Sequence, residues 1–177
     1  MNKPDVLAEA HQYEVQLLLD EAAVQGLPDE ASLTQACTLA LQQQSRLDLT
    51  EADTVEISIQ LLDTQQMRTL NHTHRNKDSA TNVLSFESGL PLLRNEHSHA
   101  LQALGDLVFC PELIAREAQE QGKSSADHWA HLAVHGTLHL CGYDHIDTSD
   151  ASRMELLEVQ ILASFGISNP YLMHSLQ

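Results

Sequence analysis

Three histidines in the segment HGTLHLCGYDH, residues 135–145, have the residue type and the spacing of a metal site. His135 and His139 are separated by one helical turn, so on a helix both side chains lie on the same face. Gly142 can adopt the left-handed conformation that ends a helix, and the returning chain can then bring His145 to the same point. Three imidazole nitrogens leave one position of a tetrahedral zinc ion open for water, which is typical of a catalytic site rather than a structural one.

Water on such an ion has its pKa lowered to about 7, so hydroxide becomes available at neutral pH. The spacing of the histidines and of Gly142 also matches the metalloprotease template HExxHxxGxxH at every position but one. Gly136 stands where that template has the glutamate that acts as the general base. The segment therefore predicts a metal site but argues against peptide hydrolysis by the usual route.

His131 is the rival candidate for the third ligand, because it lies on the same helical stripe as His135 and His139. Residues one turn apart are separated by about 6 Å along the helix axis, so three ligands on one straight helix converge poorly on one ion. We therefore predict that His145 is the third ligand. His128 and His131 are then predicted to line the cleft or to support the ligands.

Elements that could position these histidines follow from the periodicity of apolar residues and from capping residues. Strands are predicted over residues 12–19, 55–61, 82–86 and 106–110. Helices are predicted to begin at Pro28, after Asp63, at Pro111, at Ser124 and near Thr148, with loops over residues 72–78 and 88–103.

The helix that begins at Ser124 is apolar on nearly every face, which is typical of a buried, central helix. Its main polar stripe consists of histidines, and buried imidazoles need partners, of which a metal ion is one. The strand–helix–strand connections predict parallel pairing among the first three strands, and the helix-free link before the fourth predicts an antiparallel pair. We expect an α+β fold, a single small mixed β-sheet with packed helices and a central buried helix that carries the metal-binding histidines, as one domain over residues 1–177.

Length, composition and cysteine usage limit the class of protein. A chain of 177 residues is long enough to bury one hydrophobic core. It contains no apolar run of about 18 residues, so no membrane span is predicted. The N-terminus lacks the pattern of a signal peptide. Cys37, Cys110 and Cys141 are odd in number and far apart, which predicts a reducing cytoplasm. Cys141 points away from the histidines on the helix and is predicted to be a small buried apolar residue.

Taken together, three blocks of sequence resemble the YbeY-type endoribonucleases, which are bacterial ribosomal-RNA maturation factors. The first block is residues 135–145. The second is N-x3-R-x2-D-x2-TNVLSF, residues 71–86, and the third is LGDLV, residues 104–108. Their order and spacing fit that family over residues 10–172.

This resemblance implies a zinc-dependent endoribonuclease, specific for single-stranded RNA, with one Zn²⁺ per chain held by His135, His139 and His145. The implied process is ribosomal-RNA processing, namely maturation of the 3′ end of 16S rRNA, together with ribosome quality control. The implied partners are ribosomal RNA and the ribosome or its proteins, with neither a membrane nor DNA among them.

Arg75 resembles the arginine that is considered functional in that family, so Arg75 and His135 are the implied catalytic residues and Arg75 the substrate contact. A guanidinium group is always charged and can bind phosphate oxygens in a bidentate manner. It would stabilise the charge that develops during phosphodiester cleavage. The alternative is that Arg75 only forms a surface ion pair with Asp78. The family often has tyrosine where this chain has His74.

A formal net charge of −16 stands against the basic surface that RNA enzymes usually present. Residues 68–94 are locally positive, with four Lys and Arg side chains against Asp78 and Glu87, although a chance cluster on the surface would look the same. The acidic remainder predicts weak nonspecific RNA binding, so that productive binding would need the ribosome or a partner protein.

Two further acids and the remaining histidines have less specific interpretations. Asp144 either orients a ligand histidine, as carboxylates commonly do, or caps the following turn. Asp106 is predicted to be structural, near the edge of a strand. The remaining histidines are predicted to lie on the surface: His11, His72, His97, His99 and His174.

Two other functions are compatible with a metal site. One is a metal-dependent hydrolase of another bond, such as an amide, which Gly136 disfavours. The other is a non-catalytic ribosome-assembly factor in which the metal only staples the fold, and this predicts a fourth protein ligand.

Overall fold

The computed structural model describes residues 12–18 and 28–172, in which strands and helices largely follow the predicted order. The predicted end of the first strand at Leu19, together with His11 and His174, lies outside the described residues. The strands are β1 (Gln12–Leu18), β2 (Thr54–Leu61), β3 (Val83–Glu87), β4 (Leu93–Arg94) and β5 (Ala100–Phe109). The helices are α1 (Glu30–Gln43), α2 (Thr64–Arg75), α3 (Pro111–Glu120), α4 (Ser125–Leu140) and α5 (Thr148–Ser164).

These strands form one mixed sheet in the order β1-β2-β5-β3, and β4 pairs with the start of β5. β1 and β5 run parallel to β2, and β3 runs antiparallel to β5. The predicted mixed sheet is therefore confirmed. The prediction that β3 belongs to a second parallel unit with β2 is wrong, because β5 lies between them. β5 is largely buried, and a strand of that kind needs a hydrogen-bonded neighbour on each side.

Two predicted loops contain regular structure. Residues 72–75 continue α2 as its last turn, and the helix ends at Asn76, whose φ is 57°. The reciprocal capping box between Asp63 and Gln66 starts this helix as predicted, and its exposed polar end carries no apolar signal. β5 begins at Ala100 instead of residue 106, because its first half is held by backbone pairing with β2 and β4 rather than by apolar content.

Other predicted helix starts are confirmed with small changes. Asp29 caps α1 and Pro111 opens α3. Ser124 caps α4 by accepting from the Asp127 N–H. The cap of α5 is Asp147 rather than the predicted Thr148, because the Asp147 carboxylate accepts from the Ser149 N–H.

Apolar clusters lie on both faces of the sheet. The larger one joins the sheet to α1, α4 and α5, and the smaller one joins β3 and β5 to α2 and to the start of α3. Helix α4 contacts β3, β5 and the helices α1, α3 and α5. The predicted central buried helix is therefore confirmed. Within the described ranges, no helix has both the length and the apolar content needed to cross a membrane.

A bulge in β5 sets the register of the strand that supports α4. Glu56 of β2 pairs with Ala103, and the next residue, Ile57, pairs with Gly105, so Leu104 is the extra residue. Gly105 has a φ of 142°, a backbone conformation that residues with a side chain rarely adopt. A Cβ atom there would also lie 2.0 Å from the carbonyl oxygen of Phe86 in β3. Only glycine fits at this crossing of backbones.

Substitution Gly105→Ala is expected to lower the free energy of unfolding by about 3 kcal/mol or more, since backbone strain and a clash with β3 add together. Gly89→Ala is the matched control, because Gly89 has a positive φ of 62° but open space around its Cβ position. It should cost only about 1 kcal/mol. Urea unfolding of both variants measures the difference, and equal losses would show that the contact with Phe86 is unimportant.

Candidate metal centre

Three histidines converge where α4 ends. His135 and His139 lie in the last turns of α4, and His145 lies in the connection to α5. One ring nitrogen from each lies within 4.8 Å of the others. The ring centroid of His139 lies 4.6 Å from that of His135 and 5.0 Å from that of His145. The rings of His135 and His145 are stacked, with an angle of 17° between their planes. The structure thus brings together the three residues that the spacing predicts as ligands.

The turn that returns His145 is fixed by a distant arginine. Gly142 has a φ of 83°, as the sequence predicts for the residue that ends the helix. Arg46 donates to the Gly142 carbonyl oxygen at 2.6 Å and to the Asp150 carboxylate at 2.7 Å, and its guanidinium carbon lies 4.6 Å from the ring centroid of Tyr143. The Ser45 N–H also donates to the Tyr143 hydroxyl at 3.2 Å. No local sequence signal links these residues, and the sequence alone does not identify Arg46.

Both helical histidines are anchored through Nδ1. In His139 this atom lies 2.8 Å from the Tyr143 carbonyl oxygen, and in His135 it lies 2.8 Å from Glu158 Oε1. A carbonyl oxygen and a carboxylate only accept, so Nδ1 carries the proton in each ring. The Nε2 atoms therefore present lone pairs, and these two atoms lie 3.2 Å apart.

A metal ion fits this donor set. Two lone pairs in contact repel each other unless a positive centre lies between them. Zinc binds imidazole nitrogen at about 2.0–2.1 Å, so two tetrahedral ligands lie about 3.3 Å apart. The separation of 3.2 Å between the Nε2 atoms matches that value. In the part of the chain that the structure describes, this group consists of three histidines without a fourth His, Cys, Asp or Glu ligand.

The electrostatic surroundings keep the site in the form that binds metals. Burial lowers the pKa of His139 to about 4, and the neighbouring His135 acts in the same direction. Burial also raises the pKa of the Cys141 thiol to about 12, so this side chain remains an uncharged, buried group. Its predicted apolar role agrees with this environment.

His131 and His128 do not join the three converging histidines. His131 Nε2 lies 3.1 Å from Glu158 Oε2, and the rival set of three histidines along α4 is not among the ligand groups within the described ranges. His128 is buried, and its Nε2 lies 2.9 Å from Glu117 of α3. The sequence prediction that these two residues act as supporting groups is compatible with both contacts.

Glu158 is a second residue of the site, besides Arg46, that the sequence analysis missed. It is completely buried in α5, where it shares an apolar stripe with Met154, Ile161 and Leu162. Burial alone would raise the pKa of its carboxyl group, but hydrogen bonds from His131 and His135 lower it to about 2. A single acid in an otherwise apolar helical stripe is the sequence signal that could have identified it.

Comparisons with known proteins give a family match over most of this chain. A family model described as Endoribonuclease YbeY matches residues 21–166, a range that includes the three histidines, Arg75 and Glu158. This chain belongs to the YbeY endoribonuclease family. An Endoribonuclease YbeY of Pseudomonas putida is 47% identical over 157 residues, which cover 89% of this chain and 93% of the relative. Another, from Halorhodospira halophila, is 51% identical over 116 residues, which cover 66% of this chain and 74% of the relative.

A solution structure of a protein from Thermotoga maritima is also similar, at 20% sequence identity and a TM-score of 0.48, over 89% of this chain and 99% of that one. The assignment to the YbeY family depends on the sequence matches.

Arg75, the predicted substrate contact, lies in the last turn of α2 with its side chain exposed. The alternative of an ion pair with Asp78 is wrong, because Arg68 occupies both carboxylate oxygens of Asp78 at 2.7 and 2.8 Å. No hydrogen bond, ion pair or ring contact joins Arg75 to any described residue. His74, where the family often has tyrosine, contacts the edge of the Phe86 ring at a centroid distance of 5.0 Å.

Asp144 and Asp106 are the two acids whose roles the sequence analysis considered. Asp144 accepts a hydrogen bond from the His145 N–H at 2.6 Å, which favours the turn-capping role over the orientation of a histidine ring. Asp106 is not at a strand edge, because β5 extends well before it and pairs it with Ser58 and Phe86. Of the other histidines, His99 lies 2.9 Å from the Thr54 hydroxyl, and His72 and His97 are exposed.

Gly136 explains why the protease glutamate has no place in this protein. A Cβ atom at this position would lie 2.9 Å from Leu107 Cδ2 and 3.3 Å from Ser85 Oγ, so the position faces the sheet at close contact. The Ser85 hydroxyl also donates to the Gly136 carbonyl oxygen at 3.1 Å. The residue after the first histidine therefore packs against β3 and β5, and a side chain as large as glutamate would have to displace Leu107 and Ser85.

Substitution Gly136→Glu is expected to lower the free energy of unfolding by about 3 kcal/mol or more, because it places a charged side chain in the contact between helix and sheet. No peptidase activity should appear. Ala126→Glu is the control, since Ala126 is exposed near the start of the same helix, where an acid is tolerated. Its stability should stay within about 0.5 kcal/mol of wild type. A stable Gly136→Glu protein would contradict the close packing.

Proposed function

We propose that this protein is a zinc-dependent endoribonuclease that cleaves single-stranded ribosomal RNA in 16S rRNA 3′-end maturation and in ribosome quality control. The observation that carries the proposal is the pair of Nε2 atoms, 3.2 Å apart, on rings whose Nδ1 atoms are already anchored. Membership of the YbeY family supports endoribonuclease activity. In this proposal, residues 1–177 act as one domain with one ion per chain, and the cytoplasmic location stays a prediction.

His135, His139 and His145 would hold the ion, which would supply Lewis-acid activation of water or of a phosphoryl oxygen. The chain itself determines the orientation of these ligands. Glu158 and the Tyr143 carbonyl oxygen set the planes of two of the rings, and Arg46 fixes the turn that carries the third. Three protein ligands leave room for substrate, whereas a structural staple would need a fourth.

Arg75 would bind the phosphate group of the RNA. Its guanidinium is free of protein partners among the described residues, so it can contact a phosphate without first breaking an ion pair. A fixed positive charge next to the scissile phosphate would stabilise the transition state more than the ground state. His135 contributes to catalysis by holding the ion, and Arg75 by binding the phosphate.

Glu158 is not available as a general base. Both oxygens of Glu158 already accept hydrogen bonds and the residue is completely buried. Asp144 accepts from the His145 N–H through one oxygen only, which assigns it to the turn. In this proposal the ion and Arg75 provide the catalytic groups.

Ion pairs within the fold reduce the number of free cations in the locally positive stretch, residues 68–94. Arg68 and Arg94 pair with Asp78 and Glu51, which leaves Arg75 and Lys77 as the unpaired cations of this stretch among the described residues. Such a small positive surface on a chain of net charge −16 supports weak binding to free RNA. Recognition in the context of the ribosome would supply the missing affinity.

A single panel of variants separates metal binding from substrate binding. His135→Ala, His139→Ala and His145→Ala are each expected to lose the bound metal and RNA cleavage, because two imidazoles hold an ion poorly. Arg75→Ala should keep about one metal per chain while the cleavage rate falls about 100-fold, and Arg75→Lys should recover part of that loss. Elemental analysis and cleavage of a labelled single-stranded RNA by the same preparations measure both effects.

His97→Ala and Arg68→Ala are the matched controls, because His97 is an exposed histidine and Arg68 a paired arginine of α2. Each should retain the metal and most of the activity. If all three histidine variants cleaved RNA at the wild-type rate, the activity would come from a contaminating nuclease and the proposal would fail. Metal retained in His145→Ala but lost in His135→Ala would assign the third ligand elsewhere.

A further inference from the structure

A buried carboxylate behind the histidines links three separate parts of the chain. Glu158 Oε1 lies 2.8 Å from Nδ1 of His135, and Oε2 lies 3.1 Å from Nε2 of His131. The hydroxyl of Tyr171 also donates to Oε2. Helix α4, helix α5 and the segment after α5 therefore meet at one side chain that is completely buried.

The segment after α5 is folded back onto this carboxylate. Gly166, two residues after the end of α5, has a φ of 74°. The chain turns back there and places Tyr171 against α4. The Tyr171 ring packs edge-on against His131 with centroids 5.7 Å apart. This contact directs the phenol towards Glu158 and shields the carboxylate from solvent.

A buried carboxylate is stable only when hydrogen-bond donors satisfy it. Here three donors share two oxygens, so the carboxylate cannot rotate without losing at least one of them. A carboxylate that is fixed in this manner accepts the Nδ1–H of His135, keeps the Nε2 lone pair directed at the converging histidines, and makes that nitrogen a stronger ligand.

We propose that Glu158 is a positioning residue for the metal centre, and that Tyr171 acts on the same centre through Glu158. The proposal rests on the proposed metal site, whose ligands it leaves unchanged. Glu158 does not touch the ion or the substrate. Its effect reaches the ion through the orientation and basicity of His135.

The same three groups could instead hold a second ion, because one atom each from His131, His135 and Glu158 lies within 4.8 Å of the others. The complete set of hydrogen bonds at Glu158, including that from Tyr171, favours the positioning role. The two arrangements differ in the number of metals bound, so the experiment can separate them.

The test is the affinity of purified protein for Zn²⁺, measured by competition with a chelator, for Glu158→Gln, Tyr171→Phe and the double variant. Glu158→Gln keeps the size of the side chain, and its Kd should rise about 10- to 100-fold. Tyr171→Phe keeps the ring and the carboxylate, and its Kd should rise by a smaller factor. The double variant should bind no more weakly than Glu158→Gln alone, because Tyr171 acts through Glu158.

Glu30→Gln is the matched control, since it makes the same substitution at an exposed acid of α1 that has no hydrogen bond to these groups; its Kd should be unchanged. Circular dichroism and melting of the metal-free proteins show which variants are folded. The visible absorption spectrum of bound Co²⁺ reports ligand geometry, and a shift in folded Glu158→Gln is expected where a purely structural role would leave the spectrum alone.

An unchanged Kd and Co²⁺ spectrum in folded Glu158→Gln would overturn the positioning role while the proposed metal site stood. Additive losses in the double variant would overturn the part assigned to Tyr171. Two ions per wild-type chain, with one lost in Glu158→Gln, would make Glu158 a ligand and refute the proposal. If the wild-type protein bound no Zn²⁺ and no Co²⁺, the proposed function itself would fail first.

Discussion

Burial of polar imidazoles on an apolar helix is the constraint on which the rest of this structure depends. Helix α4 packs against the sheet and against three other helices, so His128 is buried and the other three histidines of its stripe are half-buried. Each ring must find a partner within the protein, or a cation. Glu117 of α3 meets His128, Glu158 of α5 meets His131 and His135, and the following turn meets His139. The arrangement of the helices gives each of these rings one partner, while the Nδ1 atoms of His128 and His131 are buried without one.

Close packing and function coincide at α4. Gly136 allows α4 to contact β3 and β5 closely, and this contact sets the distance between the sheet and the neighbouring histidines. The bulge at Gly105 sets the register of the strand below. Two glycines that carry no reactive group therefore determine where the reactive groups lie. Gly136 also stands where the metalloprotease template has its general base, so this YbeY-family chain lacks that glutamate.

Local patterns predicted the histidine convergence, the mixed sheet, the central helix and most helix starts, because periodicity, caps and turn residues act over a few positions. They failed where distant backbone decides. β5 is extended by pairing with β2, and β3 is displaced from β2 by β5. Glu158 and Arg46 were missed because their partners lie far along the chain. A buried acid in an apolar stripe was the one available signal.

The converging histidines lie close together in the sequence, whereas the groups that orient them lie farther away along the chain. The three histidines belong to one helix and the turn that follows, whereas Glu158 and Arg46 come from remote segments. An unfolded chain would therefore still carry all three histidines close together and could bind a metal weakly. Ligands that also bind the unfolded state stabilise the folded state by less than their affinity implies. Folding would contribute the geometry of the site, and the remote segments would convert a loose chelate into a catalytic one.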